Sequence, residues 1–149
     1  METIELLKTT KAKTLLFYDL PETELGKSYG PGKWTVRQIL NHLADTEIVL
    51  NERIRRAIAE VHPFVIVFDQ DRWNEYLDYN TYPLALSKNV YASIRDSIIY
   101  LAEKHYAGSD KITFFHTAAG IRSLQQEFDK VAQHNFSHIK QIETALAVS

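Results

Sequence analysis

The chain has 149 residues, 45% of them hydrophobic, and its 17 Lys and Arg against 19 Asp and Glu give a formal net charge of -2. This length and hydrophobic content suit one core, so we expect a single domain over residues 1–149. The nearly balanced charge provides no strong attraction to nucleic-acid phosphates or anionic lipids, and neither is expected as a partner.

The composition also limits the chemistry and the location. The chain has no cysteine, so disulfides, thiolate metal ligands and an internal thiol nucleophile are excluded, and any metal must bind to His, Asp or Glu. The first residues, METIELLKTTKAK, lack the apolar core of a signal peptide, and no apolar run approaches the ~18 residues of a membrane span. We therefore expect a cytoplasmic protein without a membrane partner.

Four segments have the apolar spacing of helices. Near the N-terminus the spacing predicts a helix that ends before Pro21, with a narrower apolar face than the others. In the last segment, apolar residues alternate at steps of three and four, as in the seam of a helical bundle. The predicted fold is therefore all-α, a four-helix bundle. Its helices are expected over about 4–16, 33–60, 84–106 and from 121 onward.

The connection between the second and third predicted helices runs from Val61 to Pro83. If extended it would reach ~70 Å, farther than the ~40 Å length of the helix before it. It can therefore cross the whole bundle, which allows these two helices to run parallel in an up-down-down-up arrangement. A short strand over Val65 to Phe68 is possible, but an irregular crossover is favoured. Long loops in small domains are often functional, and this one is a candidate.

Three histidines lie on predicted helix faces that point inward. His134 and His138 are four residues apart, so their rings project from one face roughly 6 Å apart, and His42 lies at the edge of the apolar face of the second helix. Three imidazoles suit a divalent ion such as Zn or Ni and leave one coordination position open. The same pattern fits equally well with buried neutral histidines that bond to one another, to Asn135 or to Gln141.

The segments around these histidines resemble the DinB-like family of four-helix, metal-binding proteins. The resemblance covers most of the chain from residue 34 to residue 142. The segments around residues 68–73 and 116–120 further resemble the branch that contains bacillithiol transferases and proteins named as metal-dependent hydrolases. It implies that His42, His134 and His138 are the metal ligands. The similar segments are WTVRQILNHLADTE at 34–47, HNFSHIKQI at 134–142, FDQDRW at 68–73 and the spacing His116-x3-Gly120.

Other side chains are candidates for positions around such an ion. Asp45 and Gln141 each follow a candidate ligand by three residues and could orient its imidazole, although Asp45 could equally be a solvated carboxylate. Asp71 and Trp73 could line the mouth of the site from the crossover, with Trp73 alternatively packing on the core. His116 could carry protons at the open metal position or lie on the surface. The candidate catalytic residues are thus His116 and Asp71.

The segment HNFSH at 134–138 lacks the glutamate of an HExxH metalloprotease, so peptide hydrolysis is disfavoured. An open Zn or Ni position can acidify water or bind a thiol as its thiolate. The thiol must come from outside, and the resemblance implies a small one such as bacillithiol. The leading prediction is a metal-dependent S-transferase that joins such a thiol to small electrophilic substrates.

 The alternatives are a metal-dependent hydrolase of a small ester or amide, and a non-catalytic metal-binding bundle.

Two further expectations concern the surface of the molecule. A small molecule is the expected substrate, and a second copy of the chain is the expected protein partner, since a bundle this small can dimerise through an outer helix face. Arg53, on the second predicted helix, is expected to be solvated, as arginines on helix surfaces usually are.

Overall fold

Four long helices form the body of the protein. The computed structural model describes residues 2–148, and within them no helix is both long and apolar enough to span a membrane. The four predicted helices are confirmed, with two short helices and a 3-10 turn at Ser109–Lys111 in the connections. The helices are α1 (Glu2–Phe17), α2 (Glu22–Leu25), α3 (Val36–Ala59), α4 (Gln70–Tyr76), α5 (Leu84–His105) and α6 (Leu124–Leu146).

Contacts between side chains give the directions of the long helices. Ser87, at the start of α5, donates a hydrogen bond of 2.7 Å to Asn41 Oδ1 near the start of α3, so these helices run parallel. The start of α1 lies against the end of α5, where the Thr3 hydroxyl is 3.2 Å from that of Tyr106, the residue after α5. The start of α1 also meets the start of α6, because Thr3 donates to Asp129 at 2.6 Å. The arrangement is up-down-down-up, as predicted.

The connections contain a small three-stranded sheet that the sequence analysis did not favour. Its strands are β1 (Phe64–Val65), β2 (Thr113–His116) and β3 (Gly120–Ser123), in the order β1-β2-β3. β1 pairs parallel with β2, and β2 pairs antiparallel with β3. The crossover is therefore partly a strand, which corrects the expectation of an irregular segment. Its pairing partner lies 51 residues farther along the chain, so local periodicity could not indicate it.

The start of the last helix also differs from the prediction. Ile121 belongs to β3, where it pairs with Phe115 and is largely exposed, and α6 begins at Leu124. The reason is a capping box, in which Ser123 accepts from the Gln126 backbone N–H and the Gln126 side chain accepts from the Ser123 N–H. This reciprocal pair satisfies backbone donors at the first turn and sets the helix start three residues later than the apolar spacing suggests.

A layer of buried polar side chains divides the core into two apolar clusters. In α3, for example, residues 36–44 belong to one cluster and residues 50–57 to the other, with Thr46 and Glu47 between them. Such groups are tolerated inside a protein when they are hydrogen-bonded. The polar layer is made of Thr10, Thr14, Thr46, Glu47, Arg95 and Asn135.

An ion pair between Glu47 and Arg95 lies at the centre of this layer. Arg95 Nε donates to Glu47 Oε2 at 2.9 Å, and its Nη2 donates to Asn135 Oδ1 at 2.8 Å. Nη1 donates to the Leu7 carbonyl at 3.1 Å and to Thr10 at 2.9 Å. Arg95 on α5 is thereby bonded to α1, α3 and α6 at once, so its guanidinium connects all four long helices.

Candidate metal centre

Three imidazoles from two helices meet in the interior of the bundle. His42 on α3 is buried, and His134 and His138 project from one face of α6, four residues apart. The Nε2 atom of His134 lies 3.1 Å from that of His42 and 3.1 Å from that of His138. The three nitrogens lie within 4.8 Å of one another, so the structure brings together all three histidines singled out in the sequence.

Gln141 orients one of these rings. Its side-chain oxygen lies 2.7 Å from His138 Nδ1, which therefore carries the proton and donates, while Nε2 of the same ring presents a lone pair. Gln141 thus holds the position relative to His138 that the three-residue spacing suggested. Among the described residues, His42 Nδ1 is buried and has no hydrogen-bond partner. The Thr46 hydroxyl lies 3.3 Å from His42 Nε2 and donates to the His42 carbonyl at 2.9 Å.

Aromatic rings enclose His42. Trp34 packs edge-on against it with ring centroids 4.9 Å apart, and Phe68 stacks parallel to it at 5.9 Å. Trp73 in turn meets Phe68 at 4.7 Å, so it contacts the centre through another ring instead of lining it directly. The segment just before α3 and the crossover thus both pack against the imidazole. They limit the access of water to His42 and fix its ring plane.

The burial of the three rings keeps them neutral. Burial, with a smaller contribution from the neighbouring imidazoles, lowers the pKa of His42 to about 2 and that of His134 to about 3. The pKa of His138 is lowered by burial too, although its bond to Gln141 opposes the shift. Neutral imidazole is the form that binds a metal ion. At physiological pH the three rings therefore offer lone pairs without first having to lose a proton.

The donor set fits a tetrahedral first-row ion. Zn–N bonds of 2.0–2.1 Å at tetrahedral angles place ligand nitrogens about 3.3–3.4 Å apart, close to the 3.1 Å that separates His134 Nε2 from each of the other two Nε2 atoms. Three neutral imidazoles whose ring nitrogens cluster within 4.8 Å cannot all be satisfied by one another, since each neutral ring has one N–H. A divalent ion would accept all three lone pairs, so His42, His134 and His138 could hold one.

The low histidine pKa values predict that the metal-free protein loses stability in mild acid. Below pH ~6.5 the unfolded chain takes up protons at these sites that the folded chain does not, so the free energy of unfolding falls. For His42 and His134 the loss approaches about 1.4 kcal/mol per pH unit each, until the folded pKa values of about 2 and about 3 are reached. Urea unfolding of the metal-free protein measures this loss. We expect the free energy of unfolding to be roughly 4 kcal/mol lower at pH 5 than at pH 7.

A matched variant isolates this effect from that of other titrating groups. Replacing His42 and His134 together by glutamine removes both imidazoles and should remove most of the dependence on pH. The exposed His62 serves as the control, since His62→Gln should leave the dependence unchanged. Equal pH dependence in the wild type and the double variant would contradict the assignment of the effect to the buried pair.

A cavity of about 230 Å³ opens beside His138 and Gln141. Asp71, from α4, lines it, which is where the sequence analysis expected this carboxylate to lie. The cavity is a route by which a small polar molecule can approach the imidazoles. Its other lining residues are Tyr29, Gly32, Lys33, Trp34 and Gln70.

Two other candidates lie elsewhere. Asp45 accepts a hydrogen bond from the Tyr79 hydroxyl instead of orienting His42, and burial raises the pKa of its carboxyl. His116 is 5% exposed, so it is not a surface histidine, and its Nδ1 accepts from the backbone N–H groups of Ala118 and Ala119. It holds the turn between β2 and β3 and is not part of the histidine cluster.

The sequence analysis missed several side chains that line the cavities of the molecule. Tyr29 and Lys33 come from the loop before α3, whose sequence has no periodicity that would place it beside the cavity. Arg53 was expected to be solvated but is 2% exposed, because its guanidinium turns inward and donates to the Ile66 carbonyl at 2.7 Å. A partner on the crossover, outside the helix that carries Arg53, could not be read from helical spacing.

The family comparison identifies the chain over nearly its whole length, since the model of the DinB superfamily matches residues 5–142. Two relatives from Oceanobacillus iheyensis, both named "Putative metal-dependent hydrolase", are 30% and 31% identical over 128 and 124 residues. The alignments cover 86% and 83% of this chain and 73% and 72% of the relatives. A relative with the same name from Halalkalibacterium halodurans is 28% identical over 131 residues, 88% of this chain and 76% of its own.

The fold has a solved counterpart. YfiT from Bacillus subtilis, described as "a probable metal-dependent hydrolase with an unusual four-helix bundle topology", superposes with a TM-score of 0.85 at 24% sequence identity. The superposition covers 95% of this chain and 82% of YfiT. At this identity the likeness concerns the fold, and it agrees with the up-down-down-up arrangement described above. By the match to its family model and by its similarity to these relatives, the chain belongs to the DinB superfamily.

Proposed function

We propose that the protein is a metal-dependent S-transferase, in which His42, His134 and His138 hold a divalent ion with one coordination position open to a small external thiol. The observation that carries the proposal is the convergence of three neutral imidazole Nε2 atoms beside a cavity that a small molecule can enter. Zn and Ni are the ions that suit three nitrogen ligands best. An ion of this kind would stabilise a bound thiol as its thiolate.

The chain's own residues support this role by position. Gln141 keeps the His138 proton on Nδ1 and its lone pair toward the cluster. Trp34 and Phe68 cover His42 and limit the access of water. Lys33 and Asp71 line the cavity and offer one charge of each sign to polar groups on the incoming molecules.

A thiol suits this environment better than water does. When a thiolate attacks an electrophilic carbon, a C–S bond forms, the leaving group departs with its bonding electron pair, and the thiol proton has already passed to solvent. No general base is needed in that step. Hydrolysis of an amide requires a proton donor for the departing amine. Among the residues that line the cavity, the one acidic side chain that could serve is the exposed carboxylate of Asp71.

Hydrolysis of a small ester is the second candidate, and two observations favour it. Asp71 lies in the same cavity as His138, where it could accept a proton from an attacking water molecule. The relatives from Oceanobacillus iheyensis and Halalkalibacterium halodurans also carry the name of hydrolases. An ester needs less help with its leaving group than an amide, so this carboxylate would suffice.

One set of assays separates these functions. Zn- and Ni-loaded protein is mixed with a chloro-dinitrobenzene electrophile and a panel of small thiols, and separately with a nitrophenyl ester without thiol. Turnover that requires both thiol and metal and is lost in His138→Ala supports the transferase. Thiol-independent ester hydrolysis that falls in Asp71→Asn supports the hydrolase. Stoichiometric metal with no turnover of either kind would overturn both and favour a non-catalytic metal-binding bundle.

A further inference from the structure

A second cavity has Phe68, a ring that stacks on His42, among its lining residues. This crossover groove, of about 530 Å³, runs between α3 and the segment from Phe64 to Phe68, and Trp73 also lines it. Its volume is within the range of small-molecule sites. The lining of the crossover groove is Ile48, Val49, Glu52, Arg53, Arg56, Phe64, Val65, Ile66, Val67, Phe68 and Trp73.

The walls of the crossover groove are apolar and accessible to solvent. Phe64 is 71% exposed, Ile66 is 76% exposed and Val67 is 52% exposed, all on one short segment. Leaving several large apolar side chains in water is unfavourable by the hydrophobic effect, and contiguous groups of them mark binding sites. The apolar walls therefore favour a ligand with an apolar body.

Arg53 gives the crossover groove a specific polar anchor. Its side chain is buried, yet only Nη2 donates to a protein acceptor, the Ile66 carbonyl, and Nε has no partner among the described residues. A guanidinium has five N–H donors and the Ile66 carbonyl takes one of them, so Arg53 has further donors for a ligand where it lines the groove. A buried, incompletely bonded guanidinium in an apolar cavity is a recognition site for a planar anion.

Glu127 and Glu52 attract Arg53 but compensate its charge only in part, because each is paired with another arginine. Glu52 forms an ion pair with Arg56, and Arg56 also pairs with Glu60 at 3.0 Å, so these charges lie on the exposed surface of α3. Glu127 lies outside the lining; its Oε1 accepts from Arg122 at 2.8 Å, and its Oε2 has no hydrogen-bond partner among the described residues. With two arginines and one glutamate, the lining is positive by one formal charge.

We propose that the crossover groove binds a small molecule with an apolar body and a carboxylate, which accepts hydrogen bonds from Arg53 while the body packs on Phe64, Val67 and Phe68. This inference goes beyond the proposed function, and it stands on the groove alone, without the metal. Phe68 lines the groove and also stacks on His42, so the bound molecule lies close to the candidate metal centre.

Direct binding tests the proposal without any turnover. Titration calorimetry compares 4-phenylbutyrate with 4-phenylbutan-1-ol, which has the same carbon body and an uncharged head, on metal-reconstituted protein. The acid is expected to bind at least about tenfold more tightly than the alcohol, as a charge-assisted bond to Arg53 implies. Arg53→Met should remove this preference and leave the alcohol's affinity within about threefold.

A surface variant keeps the test decisive if Arg53→Met does not fold. Val67→Asp places a negative charge on the groove wall and should weaken acid binding by about tenfold or more. Leu86→Asp on α5, equally exposed at 52% and outside the groove, should change nothing. Equal affinities for acid and alcohol, or acid binding that survives Val67→Asp, would overturn the proposal. A third outcome would also overturn it: the wild type binds neither compound and forms a dimer that dissociates in Val67→Asp. The groove would then be an interface between copies of the chain.

Discussion

His134→Ala is expected to abolish stoichiometric binding of Zn²⁺ or Ni²⁺. His134 Nε2 lies 3.1 Å from the Nε2 atoms of both His42 and His138. Its removal therefore leaves only two ligand nitrogens, without the one that lies near both. Removing a group that only orients a ligand typically lowers metal affinity about 10–100-fold, and removing a ligand itself should cost more than about 100-fold. Metal analysis after dialysis and competition with a chromogenic chelator measure the change.

Graded variants distinguish loss of a ligand from general damage. His42→Ala and His138→Ala should behave like His134→Ala, whereas Gln141→Leu, which removes the acceptor for His138 Nδ1, should weaken binding only about 10–100-fold. The exposed His62 provides the control, and His62→Ala should bind one equivalent as the wild type does. A wild type that takes up no stoichiometric metal, or a His134→Ala variant that retains it, would contradict the metal centre.

Metal binding should also appear as stability. An ion that binds the folded chain alone raises the free energy of unfolding by about 2.7 kcal/mol when its concentration is 100 times the dissociation constant. The wild type and His62→Ala should show this increase in urea unfolding, and the three ligand variants should not. This measurement also tells whether each variant is folded before its metal content is interpreted.

The long helices were predictable because their information is local. Apolar residues at steps of three and four identify α3 and α6 whatever the rest of the chain does. The same periodicity put His42, His134 and His138 on inward faces, and the structure brings their nitrogens within 4.8 Å. The length of the crossover was enough to allow parallel α3 and α5, which the contacts confirm.

Features that depend on contacts distant in sequence could not be predicted in the same way. β1 exists because β2 lies beside it, and α4 begins where Asp69 accepts from the Arg72 N–H within a loop that has no apolar periodicity. His116 was expected near the metal or on the surface, yet its position is set by the turn that it closes. Cytoplasmic location and a homodimer stay predictions, since a single chain carries no direct sign of either.

The Glu47–Arg95 ion pair was missed for a further reason. A charged residue in a helix is usually solvated, so each of the two, taken alone, reads as a surface position. Only the packed structure shows that one lies opposite the other, with both nearly inaccessible to water. Buried pairs of this kind are recognised from pairing between elements, and spacing along one helix contains no information about the partner.

Arg95→Met is expected to lower the free energy of unfolding by about 3–5 kcal/mol, because it leaves the Glu47 carboxylate buried without its cation. The variant also removes the donors to the Leu7 carbonyl, Thr10 and Asn135, so contacts between all four long helices weaken together. Urea unfolding at pH 7, followed by circular dichroism, measures the change in midpoint and slope.

The double variant Glu47→Gln/Arg95→Met gives the decisive comparison. If the cost of Arg95→Met comes mainly from an uncompensated charge, neutralising Glu47 as well should recover part of the lost stability. The exposed pair of Glu52 and Arg56 is the control, and Arg56→Met should leave the unfolding midpoint unchanged. A double variant no more stable than Arg95→Met would mean that the hydrogen bonds to Leu7, Thr10 and Asn135, and not the charge on Glu47, account for the loss.

Since Asn135 adjoins His134 on α6, weaker metal binding in Arg95→Met but not in Arg56→Met would then show that the polar layer also positions the candidate metal centre.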